Sequence, residues 1–330
     1  MNTMVIMSAI ALNSVDNYLP INQLHQGDTK KLIHLLEPES IALSFWSPPY
    51  FVGKQYEKNE TFDDWQELLK TTIQGHFSAL TKGGFLVINI DDILAFADPQ
   101  MPKVQAPNKS KLRSGVTKED VLAAKKMYPD YNRRQLAAIL GCSEQTVDRR
   151  LNGNNIRGGK YSLQTRVHLT GHYLERYAYE CGLYLYDRRV WVKDPTWQNS
   201  QWHSSSYRAV SEFEHLYFFW KPGETVIDRN RLAPSEWSEW GSRGVWNIRS
   251  VRSNRDHEAQ FPIALADRVI RLLTDEGDTV LDPFMGSGTT ALAAIKNKRN
   301  YIGFEREQKY IDLARTRIEE ELNQYTIPLL

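Results

Sequence analysis

The sequence predicts an α/β protein: a mainly parallel sheet built from segments at both ends of the chain, with a small basic helical insertion between them. Two observations set the sheet. Near the start, the apolar run IALSFW (41–46), an amphipathic stretch over 63–80 and the apolar run FLVINI (85–90) read strand–helix–strand. The same rhythm returns over 262–323. Short apolar runs of this kind suit strands buried on both faces, and parallel strands need a crossover such as a helix between them. The third observation is the break in the middle, where residues 101–170 carry 14 Lys and Arg against 5 acids, a net charge of +9.

Each element has a local reason. IALSFW stops at Ser47-Pro48-Pro49-Tyr50 because two prolines cannot continue a paired ladder. DDWQELLKTTIQGHFSAL (63–80) has helical apolar spacing and acids at its start, and Gly83-Gly84 breaks the chain before the next strand. Residues 99–115, rich in Pro, Lys and Ser, predict a mobile linker, followed by helical segments to about residue 181. GLYLYDRRVWVKD (182–194) and FEHLYFFWKPG (213–223) predict strands, paired antiparallel; 224–254 has no clear periodicity. Seven of the nine tryptophans fall between 191 and 246, and the core is their default place. PIALADRVIRLLT (262–274) predicts a helix with Pro262 in its first turn, then TVLDPF (279–284) a strand, MGSGTT a turn, TTALAAIKN a helix, YIGFE (301–305) a strand and 307–323 a last helix.

Composition narrows the function classes. The 330 residues have a net charge of +1, so the basic middle rides on a body of 27 basic and 35 acidic residues, net −8. A basic segment on an acidic body suits a polyanion partner; a solvated loop with scattered lysines is the alternative. No apolar run reaches the roughly 18–20 residues that span a membrane. The apolar start has no basic flank, so no signal peptide is expected. Cys142 and Cys181 lie 39 residues apart, which excludes a disulfide scaffold and a Cys-rich zinc site and fits a reducing cytosol. There is no HExxH, no Cys/His cluster and no GxSxG, so neither a metal nor a nucleophile triad is expected.

Three segments carry chemistry. DPFMGSGTT (282–290) joins a strand to a helix, where glycines let a ligand approach the backbone and a helix start offers free N–H groups. A P-loop needs Lys after the last glycine, and Thr289 stands there instead. Glu305 follows Asp282 by 23 residues, about where doubly wound folds place a ribose-binding acid. The set suggests a nucleoside-type cofactor without a triphosphate; a plain tight turn with an incidental acid is the alternative. Ser47-Pro48-Pro49-Tyr50 ends a strand with rigid carbonyl acceptors beside an aromatic ring, which suits a planar ring bearing an amine; a Pro-Pro turn with a core tyrosine would look the same. In NRRQLAAILGCSEQTVDRRL (132–151), Ala137, Gly141 and Val147 have helix-turn-helix spacing. The second helix would expose Glu144, Gln145, Thr146, Arg149 and Arg150, with Arg133 and Arg134 nearby, types that suit base edges and phosphates; a plain helical hairpin is the alternative.

Taken together, SPPY near the start, HEAQFP (257–262) and then DPFMGSGTT resemble the β-class amino-methyltransferases of DNA, which use S-adenosyl-L-methionine. The order, catalytic motif first and cofactor motif later, argues against protein glutamine methyltransferases, which share a PPY motif in the opposite order. The resemblance covers about residues 20–100 and 180–320. It implies a Rossmann-like methyltransferase sheet with circularly permuted motif order; the basic helix-turn-helix segment over 101–165 lies outside the shared core and reads as an insertion. It also implies roles: Ser47, Pro48, Pro49 and Tyr50 at the target base; Asp282, Phe284, Gly286, Gly288 and Thr289 along the cofactor; Glu305 at its ribose; His257, Gln260, Phe261 and Pro262 at its amino-acid end; and Asp28 at its adenine.

The implied organisation is a catalytic half over 1–100 and 166–220, the insertion over 101–165, a target-recognition region over 221–254 and the cofactor half over 255–330. That recognition region is short, so the insertion, through Gln145, Thr146, Arg149, Arg150, Arg133 and Arg134, would supply the missing DNA surface. Ser in the first place of the tetrapeptide goes mostly with cytosine N4 in this family, Asp with adenine N6. Trp46 is bulkier than the Thr often found before the motif and would crowd the pocket. The expected partners are double-stranded DNA and, acting separately, a cognate restriction endonuclease; the chain would be a monomer or homodimer. Rival readings are an adenine-N6 enzyme, an RNA methyltransferase, and a helix-turn-helix regulator with an inert methyltransferase body.

Overall fold

The computed structural model describes residues 18–51, 61–98, 100–101, 115–152, 165–194, 209–251 and 260–326. His257, the apolar start and nearly all of the 99–115 linker lie outside the described residues. In chain order the elements are β1 (Gln23–Gln26), α1 (Thr29–Leu32), β2 (Ile41–Trp46), α2 (Phe62–Ala79), β3 (Leu80–Ile90), β4 (Ile93–Ala97), α3 (Lys118–Met127), α4 (Arg133–Ile139) and α5 (Glu144–Asn152). Then follow β5 (Thr165–His168), α6 (Thr170–Cys181), β6 (Tyr184–Val192), β7 (Phe213–Trp220), α7 (Pro234–Glu236), β8 (Val245–Asn247), α8 (Ile263–Leu273), β9 (Thr279–Asp282), α9 (Thr289–Lys296), β10 (Asn300–Glu305) and α10 (Gln308–Thr326). They form two compact units: 1–91 with 169–193 and 213–330, and 92–168 with 194–212.

The larger unit is built on an eight-stranded sheet in the order β1-β10-β9-β2-β3-β7-β6-β8. The first five strands are mutually parallel, β7 runs antiparallel between β3 and β6, and β8 adds parallel to β6. The two expected αβ ends therefore meet in the middle of one sheet, β2 beside β9, with Leu43 opposite Val280. Helices cover both faces because the central strands are apolar on both. Leu43, Phe45, Phe85 and Val87 pack with Leu265, Val269, Ile270 and Ala291 from α8 and α9. Each such fully buried Leu, Ile or Val contributes roughly 1.5–3 kcal/mol over its exposed state. Thr61 opens α2 with a capping box to Asp64, as the acids at its start predict.

One expectation needs correction. Gly83-Gly84 does not precede β3 but lies within it, with Gly83 at φ +82° and the β2–β3 register slipping between Ile41 and Leu43. The carbonyl of Glu224 stands where a side chain on Gly83 would go, so the glycine absorbs a bulge rather than ending a strand. Within the stretch that showed no clear periodicity, β8 extends the main sheet, and Trp240 and Trp246 are buried core residues with their rings edge-on.

The smaller unit pairs β4 with β5 as an antiparallel ribbon, Ala97 opposite Thr165. It also holds α3, α4 and α5, packed on a core of Val121, Leu136, Ala137 and Val147. Gly141, at φ +61°, makes the turn between α4 and α5, so the small-residue, glycine and valine spacing does encode this hairpin, with α3 as a third helix. The unit is wider than 101–165, because the ribbon at 93–97 and 165–168 belongs to it.

Candidate active site

A cavity of about 430 Å³ opens at the carboxyl ends of β2, β9, β10 and β1, where parallel sheets place their ligands. Its wall contains Ser47 to Tyr50, Asp28, Gln260, Phe261, Phe284, Gly286, Thr289 and Glu305, so most residues singled out in three distant stretches of sequence converge there. Asp282, Gly288 and Pro262 lie behind that wall. Asp282 is 2% exposed and accepts from the Thr290 hydroxyl at 2.6 Å and the Phe284 N–H at 2.9 Å, fixing the turn. Gly288, at φ +85°, caps α9, and a side chain there would press on Ala314 of α10. Pro262 caps α8.

The glycine turn carries its own logic. Glu305 accepts from the N–H groups of Gly286 and Glu307, at 3.0 and 2.8 Å, so the acid at the end of β10 ties the turn after β9 to its own strand. Burial pushes the carboxyls of Glu305 and Asp282 upward, Asp282 to about 7. Among the described residues neither forms an ion pair. Glu305 thus stands at the cavity wall as a fixed acceptor, where the sequence expects the ribose of a nucleoside-type cofactor, and Asp282 braces the turn from behind. Asp28 lines the cavity and caps α1 through the Lys30 N–H at 3.0 Å. Gln260 points its amide at Ser287, Thr289 and Arg317; with its oxygen toward them it accepts from Arg317 at 2.7 Å and Ser287 at 2.9 Å. That bracing holds the start of α9.

The tetrapeptide is an acceptor by construction. Ser47 Oγ donates its hydrogen to the Asn89 carbonyl at 2.7 Å, and Tyr50 donates its own to Glu214 Oε2 at 2.6 Å. Burial, then the Glu214 charge, pushes the Tyr50 hydroxyl well above its usual range, so it stays protonated. The two hydroxyl oxygens are 3.2 Å apart with both hydrogens committed elsewhere, which leaves Ser47 lone pairs for an incoming N–H. The Pro49 carbonyl is taken by the Trp65 indole at 2.8 Å, whereas the Pro48 carbonyl accepts no hydrogen bond among the described residues. Trp46 does not crowd the cavity: it is fully buried between His76 and Phe284, at ring separations of 5.9 and 5.1 Å. Glu214 and Asn89 were not singled out in the sequence.

In the smaller unit, Glu144, Gln145, Arg133 and Arg134 are exposed, and Thr146, Arg149 and Arg150 are half-buried. Two of the arginines have intramolecular duties: Arg133 pairs with Asp148 at 2.6 Å, and Arg150 Nε donates to the Val116 carbonyl at 2.9 Å. The second helix thus exposes fewer of its polar residues than its spacing predicts.

Comparison with known proteins agrees with this geometry. Residues 41–316 match the N6/N4 DNA methylase family. The type II methyltransferase M.BglI of Bacillus subtilis is 61% identical over 303 residues, 92% of this chain and 87% of its own. M.HinfI of Haemophilus influenzae is 40% identical over 94 residues, 28% of this chain and 26% of its own. Among solved structures, a DNA modification methylase of Thermus thermophilus complexed with S-adenosyl-L-methionine shares the fold at TM-score 0.59 and 21% identity, covering 93% of this chain and 95% of that one. The cytosine-N4-specific PvuII DNA methyltransferase does so at 0.56 and 19%, covering 94% and 93%. The chain belongs to the N6/N4 DNA methylase family and is an S-adenosyl-L-methionine-dependent DNA methyltransferase.

Proposed function

We propose that this chain methylates the N4 amine of cytosine in duplex DNA, as the modification enzyme beside a separately acting restriction endonuclease. The observation that carries the reading is the acceptor polarity of the tetrapeptide: Ser47 Oγ with its hydrogen given to Asn89, and a Pro48 carbonyl that accepts no hydrogen bond among the described residues. An exocyclic amine offers two N–H donors, and these two acceptors answer them. A paired base hides that amine in the stack, so the nucleotide must swing out of the helix. The Tyr50 ring then covers the face of the base. Hydrogen bonds from the amine to Ser47 and Pro48 draw its lone pair out of ring conjugation.

S-adenosyl-L-methionine, when bound, supplies the electrophilic methyl group. Asp28, Phe284, Gly286, Thr289, Glu305 and Gln260 would hold it, with Asp282 and Gly288 shaping the turn from behind. The chain's own contribution is positioning and exclusion of water, worth orders of magnitude in rate without a metal or triad. A neutral serine in the first place, which goes mostly with cytosine in this family, supports N4 over adenine N6. Gln145, Thr146, Arg149 and Arg134 of the helix-turn-helix would read or grip the duplex.

Product analysis tests the base. The protein is incubated with S-adenosyl-L-methionine and mixed-sequence duplex DNA, and the digested nucleosides are weighed by mass spectrometry. N4-methylcytosine is the expected product. N6-methyladenine would overturn the reading of Ser47 and leave the rest.

A further inference from the structure

We propose that Glu214 is a positioning residue of the target-base site, holding Tyr50 directly and Ser47 through Asn89, with Lys193 as its counter-charge. The inference rests on the reading of Ser47 and Tyr50 as the groups that meet the base. Glu214 sits near the start of β7 and is 8% exposed. Its Oε2 accepts from the Tyr50 hydroxyl at 2.6 Å and from Asn89 Nδ2 at 2.5 Å, and its Oε1 accepts from Lys193 Nζ at 2.5 Å. Asn89 in turn offers its backbone carbonyl to the Ser47 hydroxyl. One carboxylate therefore sets the place of the aromatic ring and, one residue removed, the direction of the serine hydrogen.

The arrangement is costly as a mere staple. Burying a carboxylate and an ammonium spends solvation that their attraction only roughly recovers, and apolar side chains of similar volume join strands as well. What an apolar pair cannot do is hold a phenol by its hydroxyl with a charge-assisted hydrogen bond. Tyr50 has particular need of such a grip. It follows two prolines at a strand end, and its own ladder ends at Trp46. Beyond that ladder, the hydroxyl is the far point by which the ring can be aimed.

A structural tie and a positioning device predict different kinetics. Full-length protein is assayed for initial methylation rates on unmethylated mixed-sequence duplex DNA, with cofactor binding followed by calorimetry. Tyr50→Phe removes this hydrogen bond outright, and Glu214→Gln strips it of its charge assistance, since an amide oxygen still accepts but more weakly. Each is expected to lower kcat roughly tenfold, the scale of one charge-assisted hydrogen bond, while KM for DNA and cofactor affinity stay within about twofold. Combined in one chain they are expected to be no worse than the poorer single variant. A wild-type kcat for Glu214→Gln, or losses that multiply in the combined variant, would overturn the proposal.

Should Glu214→Gln alone fail to fold, Glu214→Gln/Lys193→Met removes both charges and takes its place in the cycle; Tyr50→Phe with wild-type kcat would then suffice to overturn it. Ser47→Ala and Tyr50→Ala run alongside. If both keep full activity, the assignment of the base site itself has failed. If they lose activity while Glu214→Gln keeps it, only the role of Glu214 has.

Discussion

His76 and Asp282 pull the stability of the unliganded protein in opposite directions over nearly the same pH range. His76 is fully buried, its Nδ1–H donates to the Thr72 carbonyl at 2.6 Å, and burial holds it down to about 4 against a free value of 6.5. Between those values the unfolded chain binds the extra proton, so His76 makes stability rise with pH from about 4 to 6.5. Asp282 is pushed up to about 7 from 3.8, so here the folded chain binds the proton and stability falls as pH rises through that window. Asp282→Asn removes the second effect and uncovers the first. Its thermal midpoint without cofactor is expected to climb more steeply than wild type between pH 5 and pH 7; parallel profiles would refute the assignment.

At this scale the tetrapeptide and the glycine turn were legible, because each is a run of neighbours whose chemistry shows in order. Glu214 was not. In FEHLYFFW it looks like a solvent-facing member of a half-buried strand, and its partners stand 125 residues before it at Asn89 and 21 before it at Lys193. Only the antiparallel joining of β3, β7 and β6 brings them together.

Among the elements, the apolar strands β2, β3, β9 and β10 and their helices followed from periodicity, since a strand buried on both faces must be apolar throughout. The short strands did not. β1 is QLHQ, four residues at the edge of the sheet with no apolar run, and β8 is three. The ribbon of β4 and β5 was hidden because its halves are separated by the whole three-helix hairpin. That ribbon permits a clean test of the helices. Ala97 faces Thr165, so residues 98–164 can be replaced by Asn-Gly, a turn suited to an antiparallel pair. The shortened protein is expected to bind S-adenosyl-L-methionine as before. Its affinity for duplex DNA should fall at least about tenfold, with a shallower dependence on salt, each lost phosphate contact reducing the slope by about 0.9. Anisotropy titrations at several salt concentrations measure both, and an unchanged slope would remove the helices from the DNA interface.

For the molecule as a whole, the permuted motif order is visible as a seam. Catalytic strands β2 and β3 and cofactor strands β9 and β10 come from opposite ends of the sequence, yet β2 and β9 are neighbours. The seam has a consequence in time. On the ribosome β2, β3, β6 and β7 emerge early, whereas β1, made before them all, has β10 as its strand neighbour and must wait about 270 residues for it. At roughly 5–20 residues per second that is a delay of about 14–54 s, during which half of the sheet has an open edge. A nascent chain stalled before residue 300 is expected to retain no radiolabelled cofactor, and one released after 326 to retain it. The enzyme is thus born silent: it cannot mark DNA until β10 has been made and has reached β1.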